Sequence, residues 1–193
     1  MYFKIKMNEI EQVSASAVAN KLIDIAKSND KSTILDNVTN LLINKTIYFV
    51  HGFYLLHHNQ PVINVAHKEY IEAWKYGPVV PSIYHEFKRF GKDIVSDYSI
   101  VDEETETDGT RQYIHKLPNN GNIVKIFDWF LDNFLKTHRA EELVSITHVK
   151  NSPWYNVYHQ DDARKIIDND IITPYFEKYS MWLEKERGIK YTS

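Results

Sequence analysis

The feature that most constrains the fold is a long segment, from Thr33 to about His57, in which apolar residues recur at helical spacing on a wide face. A narrow polar stripe runs along the same segment, at Asn37, Asn40, Asn44, Tyr48 and His51. A helix with so little polar surface is usually surrounded by other elements. We therefore predict a central, largely buried helix that ends before Pro61, because the residue preceding a proline disfavours helical backbone.

Amphipathic patterns predict further helices on both sides of this segment. The first runs from Ser14 to Lys27 with Ser14 as its N-cap, and another runs from Pro81 to Phe90, where Gly91 ends it. Later helices are predicted for the stretch that Asn119–Asn122 opens, for Ala140 to Val149, for the turn after Ser152 and Pro153, and for Thr173 to Arg187. The predicted buried stripe of the last helix is Tyr175, Phe176, Tyr179, Trp182 and Leu183.

The β-strand patterns are short and lie in the middle of the chain. Tyr70–Trp74 alternates weakly and predicts a strand, with Gly77-Pro78 as the following turn. Residues 101–110 hold five acids and predict a solvent loop or a hairpin tip, followed by a returning strand from Arg111 to His115. The predicted fold class is mainly α (α+β): a single compact multi-helix domain, residues 1–193, around a long central helix with a small β-hairpin or sheet in the middle.

Composition limits the classes of function. The net charge is −3 and the pI about 6.3, which gives no basic face for a phosphate backbone, so we expect no nucleic-acid partner. The absence of cysteine excludes disulfides, thiolate metal sites and a cysteine nucleophile. The segment Met1–Met7 lacks the pattern of a signal peptide, and no stretch approaches roughly eighteen apolar residues, so we expect a cytoplasmic protein without a membrane span.

The remaining polar residues match no common enzyme or metal motif. The chain has no Gly-x-Ser-x-Gly, no P-loop and no Rossmann fingerprint. Of its nine histidines, His51 and His58 share a helical face, but no His-Glu-x-x-His or His-x-His motif accompanies them. We therefore expect a protein that is not an enzyme and that needs no metal or cofactor, although a site assembled from dispersed residues would leave no such motif.

The most distinctive segment is Glu72-Ala73-Trp74-Lys75-Tyr76-Gly77-Pro78-Val79-Val80-Pro81, followed by Ser82-Ile83-Tyr84. Gly77 gives the backbone freedom ahead of a proline, and Pro78 fixes φ. Pro81 favours the start of a helix. Trp74 and Tyr76 place large aromatic rings beside this corner of the chain.

With this segment the chain resembles the Panacea antitoxin domain family, which includes SocA-like and GepA-like phage-associated proteins. The resemblance also rests on Ile47–Leu55 with Gln60-Pro61, and on Leu143–Trp154, which contains Thr147-His148 and Pro153-Trp154. It covers roughly residues 14 to 176, and the last helix continues to about residue 187. One departure is Leu42-Ile43-Asn44-Lys45-Thr46, where many members have Leu-Gln-Lys-Leu.

The resemblance implies an antitoxin of a toxin–antitoxin system, which neutralises a cognate protein toxin by direct binding. That toxin would be encoded next to it. The alternative is a protease adaptor or phage-associated regulatory protein that delivers a partner to a protease for degradation. The sequence does not determine the oligomeric state.

Candidate partner-binding residues come from the motif segment, the polar stripe and the Thr-His and Pro-Trp pairs: Trp74, Tyr76, Pro78, Asn44, Tyr48, His51, His148 and Trp154. Each has a structural alternative. The motif corner is a fold requirement before it is a contact, and Thr147 or His148 is a hydrogen-bonding partner of backbone near the central helix. The polar side chains of the stripe either face water or are buried with partners, so the stripe is a binding groove or a solvated side. The acidic run Asp102–Asp108 is a contact for a basic toxin or simply hydrated.

Overall fold

The computed structural model describes residues 14–28, 37–63, 69–105, 109–159 and 165–192, and for 101–105 and 109–113 the backbone alone. Seven helices and two antiparallel strand pairs are described. The helices are α1 (Ala15–Lys27), α2 (Asn40–His58), α3 (Pro81–Phe87), α4 (Asn122–Phe130), α5 (Ala140–Thr147), α6 (Pro153–Tyr158) and α7 (Asn169–Arg187). The strands are β1 (Glu72–Trp74), β2 (Gly77–Val79), β3 (Val101–Thr105) and β4 (Gly109–Tyr113). The predicted mainly α fold with a small β part is confirmed.

Helix α2 is the central element, as its apolar pattern predicts. Every side chain from Leu42 to Leu55 is buried, and the helix contacts α1, α3, α4, α5, α7 and β2. It begins at Asn40 and not at Thr33, because Thr39 is the N-cap and its Oγ1 accepts from Leu42 N at 3.3 Å. Residues 33–36 lie outside the described residues. The helix ends at His58, and Asn59 follows in the left-handed conformation.

The other predicted helix ends depend on local signals, and most are confirmed. Ser14 Oγ accepts from Ala17 N at 3.2 Å and caps α1, and Ser152 Oγ accepts from Tyr155 N at 3.1 Å and caps α6. Helix α3 continues as a 3₁₀ turn to Phe90 and is followed by Gly91 at φ +58°. Helix α4 continues as a π-helical turn, Leu131–Leu135. Helix α5 ends at Thr147, two residues earlier than predicted.

Helix α7 differs from its prediction at its start and on its buried face. It begins at Asn169, four residues before the predicted Thr173, and Pro174 lies inside it. Burial of Ile172 favours the earlier start, and a proline so close to the helix start removes few hydrogen bonds. Trp182 is 46% exposed, so it does not belong to the buried stripe. The stripe is formed by Ile172, Phe176 and Leu183, and the predicted Tyr175 and Tyr179 are half-buried.

The strands also correct the prediction for the acidic segment. Residues 101–105 and 109–113 pair as β3 and β4, from Val101 opposite Tyr113 to Thr105 opposite Gly109, so most of the predicted loop is strand. Antiparallel pairing is made by the backbone and does not require apolar side chains, so an acid-rich composition is a weak argument against it. The tip of the acidic run, residues 106–108, lies outside the described residues.

Among the described helices none has the length and apolar character needed to cross a bilayer.

The contact between α2 and α7 depends on Gly52. A Cβ atom at this position would overlap the ring of Phe176, which is fully buried and lies edge-on to Phe53 with 5.0 Å between ring centroids. The absence of a side chain therefore lets the two helices approach closely.

We predict that Gly52→Ala lowers the free energy of unfolding by about 1–3 kcal/mol, because overpacking a filled core forces neighbouring side chains out of place. This loss outweighs the gain of about 1 kcal/mol that alanine normally brings to a helix interior. Urea unfolding followed by circular dichroism measures the difference.

Phe176→Leu in the Gly52→Ala background is the control. If steric overlap is the cause, the double variant loses less stability than the sum of the two single changes. Equal or higher stability of Gly52→Ala would contradict the packing argument.

Candidate partner-binding site

The β1–β2 hairpin carries the motif segment, and its turn lies at Lys75–Tyr76. The strands pair Glu72 with Val79, Ala73 with Pro78 and Trp74 with Gly77. The prediction of a turn at Gly77-Pro78 is therefore wrong, since both residues lie in β2. Gly77 has φ +99°, and a Cβ atom there would lie 2.7 Å from Lys45 Nζ and 2.8 Å from Thr147 Oγ1. The glycine is required because the hairpin backbone lies directly against α2 and α5.

A buried lysine holds the second strand of the hairpin. Lys45 projects from the middle of α2, is fully buried, and its Nζ donates to the Pro78 carbonyl at 2.7 Å. None of the ion pairs found among the described residues involves Lys45. Burial lowers the pKa of this amine from its ordinary 10.5 to about 7. Because the buried amine depends on the Pro78 carbonyl, the position of β2 is coupled to α2.

Two asparagines of the polar stripe hold the exit of the hairpin. Asn44 Oδ1 accepts from Val80 N at 3.0 Å, and its Nδ2 donates to Asn40 Oδ1 at 2.9 Å. Asn40 Nδ2 donates to the Tyr84 carbonyl in α3 at 3.0 Å. Both asparagines are buried. Of the alternatives for this part of the stripe, the structure shows burial with hydrogen-bonding partners, and neither a binding groove nor a solvated side.

The Thr-His and Pro-Trp pairs hold the other side of the hairpin. Trp154 Nε1 donates to the Trp74 carbonyl at 2.7 Å. The His148 ring lies against Trp154, with 3.6 Å between centroids, and its Nε2 lies 3.3 Å from the Lys75 carbonyl. Thr147 Oγ1 donates to the Val144 carbonyl of its own helix at 2.8 Å. His148 Nδ1 lies 2.7 Å from the Val144 carbonyl and donates to it, because a carbonyl oxygen only accepts. Thr147 and His148 thus hydrogen-bond backbone as predicted, and the acceptor of both is a carbonyl of α5.

Tyr48 and His51 lie away from the hairpin. Tyr48 is buried, with its ring centroid 5.6 Å from that of Phe176. His51 Nδ1 accepts from Val62 N at 3.1 Å and from Ile63 N at 3.3 Å, so Nε2 carries the hydrogen and donates to Asn169 Oδ1 at 2.8 Å. Burial lowers the pKa of His51 from 6.5 to about 4, against the opposite effect of the Asn169 bond. These two residues join α2 to α7 and to the segment after α2.

Exposure separates the candidate residues into two groups. The buried group does not reach the protein surface and contributes to the packing of the structure: Asn44, Tyr48, His51, Pro78 and Trp154. Tyr76 is 62% exposed, whereas Trp74 and His148 are half-buried. Trp74 packs edge-on against Tyr84, which is 38% exposed, with ring centroids 4.9 Å apart. We call Trp74, Tyr76, Tyr84 and His148 the hairpin surface.

The sequence interpretation missed Lys45 and Tyr84. The sequence signal for Lys45 is a cation in the middle of an apolar helix, since a buried amine requires a hydrogen-bonding partner. Tyr84 lies three residues after Pro81, and its position beside Trp74 follows from the way α3 leaves the hairpin. No such sequence signal was available for Tyr84. Within the described residues, no group of three His, Cys, Asp or Glu side chains is arranged to hold a metal ion.

Comparison with known families gives a match to the model described as antitoxin SocA-like, Panacea domain, over residues 43–155. The chain belongs to this family. The match is narrower than the predicted residues 14–176, and it contains the hairpin together with Lys45, Asn44, His148 and Trp154. Antitoxin SocA from Caulobacter vibrioides (strain NA1000 / CB15N) is 29% identical over 155 residues, which cover 75% of this chain and 70% of that protein. No solved structure matches the chain. Most contacts that hold the hairpin therefore lie within the matched residues, but Ala73 N also donates to the Lys165 carbonyl at 2.7 Å, and both Lys165 and α7 follow the match.

We predict that Lys45 makes stability depend on pH above neutrality. Between its folded pKa of about 7 and its ordinary 10.5, the amine is neutral when folded and protonated when unfolded. Unfolding then takes up a proton, so the free energy of unfolding falls as pH falls through this window. The measurement is urea unfolding at a series of pH values for the native chain and Lys45→Met.

The native chain should gain up to about 1 kcal/mol per pH unit relative to Lys45→Met between the two pKa values. Lys88→Met, at an exposed lysine, is the matched control and should track the native chain. Parallel pH profiles for the native chain and Lys45→Met would show that the buried amine stays charged.

We predict a second pH effect on the acid side from His51. Its folded pKa of about 4 lies below its ordinary 6.5, so the folded form keeps the ring neutral while the unfolded form is protonated. Stability is complete above pH 6.5 and is lost as pH falls towards 4. His51→Asn keeps an acceptor for the backbone amides and does not titrate, so its loss of stability over this window should be shallower. His85→Asn, at an exposed histidine, should retain the native slope, and a native slope in His51→Asn would contradict the assignment.

Proposed function

We propose that this chain is the antitoxin of a cytoplasmic toxin–antitoxin pair, that it neutralises a cognate protein toxin by direct binding, and that it has no catalytic role. Membership of the SocA-like Panacea family supports the antitoxin role. The 29% identical relative is itself named an antitoxin. The proposal of direct binding rests on a surface of this chain that suits a protein contact.

That surface is the hairpin surface, and the observation that carries the proposal is the exposure of Tyr76 on a firmly held turn. The Tyr76 ring is 62% exposed, and the Lys75 amine lies 5.3 Å from its centroid. Exposed tyrosine and tryptophan side chains on a rigid backbone are the usual anchors of protein interfaces, because they bury a large area and lose few rotatable bonds.

The supports beneath the turn strengthen this proposal. Lys45 holds the carbonyl of Pro78, and Trp154 holds that of Trp74, so both strands of the hairpin are fixed from the core. A partner that binds the turn therefore meets a preorganised surface, which lowers the entropic cost of association. Among the buried candidate residues, Asn44, Pro78 and Trp154 act on binding through this arrangement, whereas Tyr48 and His51 lie away from the hairpin.

The test is co-expression of this chain with its adjacent reading frame, scored by growth and then by co-purification. Direct neutralisation predicts that the neighbour alone stops growth, that this chain restores it, and that the two proteins co-elute. Rescue without a complex, accompanied by loss of the neighbour, would favour the adaptor mechanism. A harmless neighbour that does not co-elute would contradict the toxin–antitoxin proposal.

We predict that Tyr76→Ala weakens the complex by about tenfold or more, as expected for loss of an aromatic anchor. Tyr70→Ala is the matched control, because Tyr70 is 38% exposed and precedes the hairpin. Both variants should keep the native melting temperature, since neither ring is buried. Unchanged affinity of Tyr76→Ala, measured by titration calorimetry, would exclude the hairpin surface as the contact.

A further inference from the structure

A second apolar feature lies away from the Tyr76 turn, between α5, the π-helical turn and α7. It is a groove of about 490 Å³ whose walls include Phe134, Ile146, Tyr179 and Trp182, with Glu142 and Arg187 among its charged residues. We call it the α5–α7 groove. Its volume is in the range of sites that accept large apolar groups.

The groove is bordered by large apolar side chains that remain in water. Trp182, which lines it, is 46% exposed, and Val149, after the end of α5, is 53% exposed. Met181 is 66% exposed and lies beside Trp182, outside the lining of the groove. Neighbouring exposed apolar groups of this size mark interaction surfaces more often than isolated ones do.

Trp182 is held in place by the rings that precede it along α7. Tyr175 and Tyr179 stack with centroids 6.1 Å apart and planes at 14°. Tyr179 and Trp182 stack at 5.9 Å and 11°. The guanidinium of Arg187 lies 5.8 Å from the Trp182 centroid. The indole is therefore a supported, half-exposed ring next to an apolar hollow.

The groove carries opposite charges on its two helical walls. Glu142 projects from α5, where its Oε2 accepts from Arg139 N at 2.6 Å, and Arg187 projects from α7. No ion pair joins them within the described residues, and both side chains are exposed. The α5–α7 groove thus combines the half-exposed ring of Trp182 with an apolar hollow, and the acidic Glu142 with the basic Arg187.

A patch with these paired features is complementary to itself. In a two-fold symmetric interface, a contact made by one residue of the first copy with another residue of the second copy is repeated with the two copies exchanged. The ring of each copy can therefore enter the hollow of the other, and the base of each copy can meet the acid of the other. We propose that the α5–α7 groove is a dimer interface, in which a second copy of this chain inserts Trp182 into the groove and pairs Arg187 with Glu142 across the two-fold axis.

This inference goes beyond the proposed function, because it concerns an interface that leaves Tyr76 outside the contact. Helix α7 also lies beyond residue 155, where the family match ends. The dimer would therefore be formed by residues of the Panacea domain on one wall of the groove and by the C-terminal helix on the other.

The experiment is sedimentation equilibrium of the full chain, together with light scattering during size-exclusion chromatography. The native protein is expected at twice the chain mass of 22.8 kDa. Trp182→Glu is expected to be monomeric with an unchanged circular dichroism spectrum, because a charge is placed where the ring enters the groove. Val149→Lys provides a second, independent change at an exposed position, in case Trp182→Glu alters folding.

Charge reversal tests the pairing. Glu142→Arg and Arg187→Glu should each weaken the dimer by about tenfold, and the double variant should recover most of that loss. Glu141→Arg and Lys185→Glu, at exposed neighbouring charges that do not line the groove, are the matched controls and should leave the dimer intact.

A native protein that stays monomeric at its highest soluble concentration would overturn the inference, as would a dimer that survives both Trp182→Glu and Val149→Lys. A groove that binds only an unrelated helical partner would give the first of these outcomes. Toxin rescue by a monomeric native chain would leave the proposed function intact, and a dimer without rescue would leave this inference intact.

Discussion

The structure depends on one buried amine. Lys45 lies in the middle of an apolar helix, out of reach of water, and a charged or even a neutral amine there is unstable without a hydrogen-bond acceptor. The acceptor is the backbone carbonyl of Pro78. Gly77 must be a glycine for this contact to form, because any Cβ atom would occupy the space of the amine. The hairpin is therefore fixed to α2 by a requirement of the core.

The remaining supports follow the same principle. Asn44 lies one residue before Lys45 and accepts from Val80 N, so the polar side of α2 holds the strand as it leaves the hairpin. Trp154 reaches Trp74 from α6, and His148 packs on Trp154 from the end of α5. Three helices thus supply polar groups to one short hairpin, and its turn projects Tyr76 into solvent. A firmly held turn with an exposed aromatic ring suits the proposed binding of a protein toxin.

The Panacea match and the C-terminal helix divide the molecule into two kinds of surface. The hairpin and most of its supports lie within residues 43–155. The stacked rings of α7 lie outside them, and the last of these rings is half-exposed beside an apolar groove. If the hairpin serves toxin binding and the groove serves self-association, α5 is common to both, because Glu142 lines the groove and His148, directly after α5, belongs to the hairpin surface.

The local elements and the family can be recognised from the amino-acid sequence. Serine caps at Ser14 and Ser152, prolines at the starts of α3 and α6, and the apolar run of α2 act through neighbouring residues, so their effect is visible in sequence. Which polar side chains are buried depends on how the helices pack, so it is seen only in the folded chain. Helical spacing places Asn44, Lys45 and His51 on α2 but does not say what packs over them. The turn at Lys75–Tyr76 was hidden for the same reason, since the demand for glycine at position 77 comes from Lys45 and Thr147, which are distant in sequence and close only after folding.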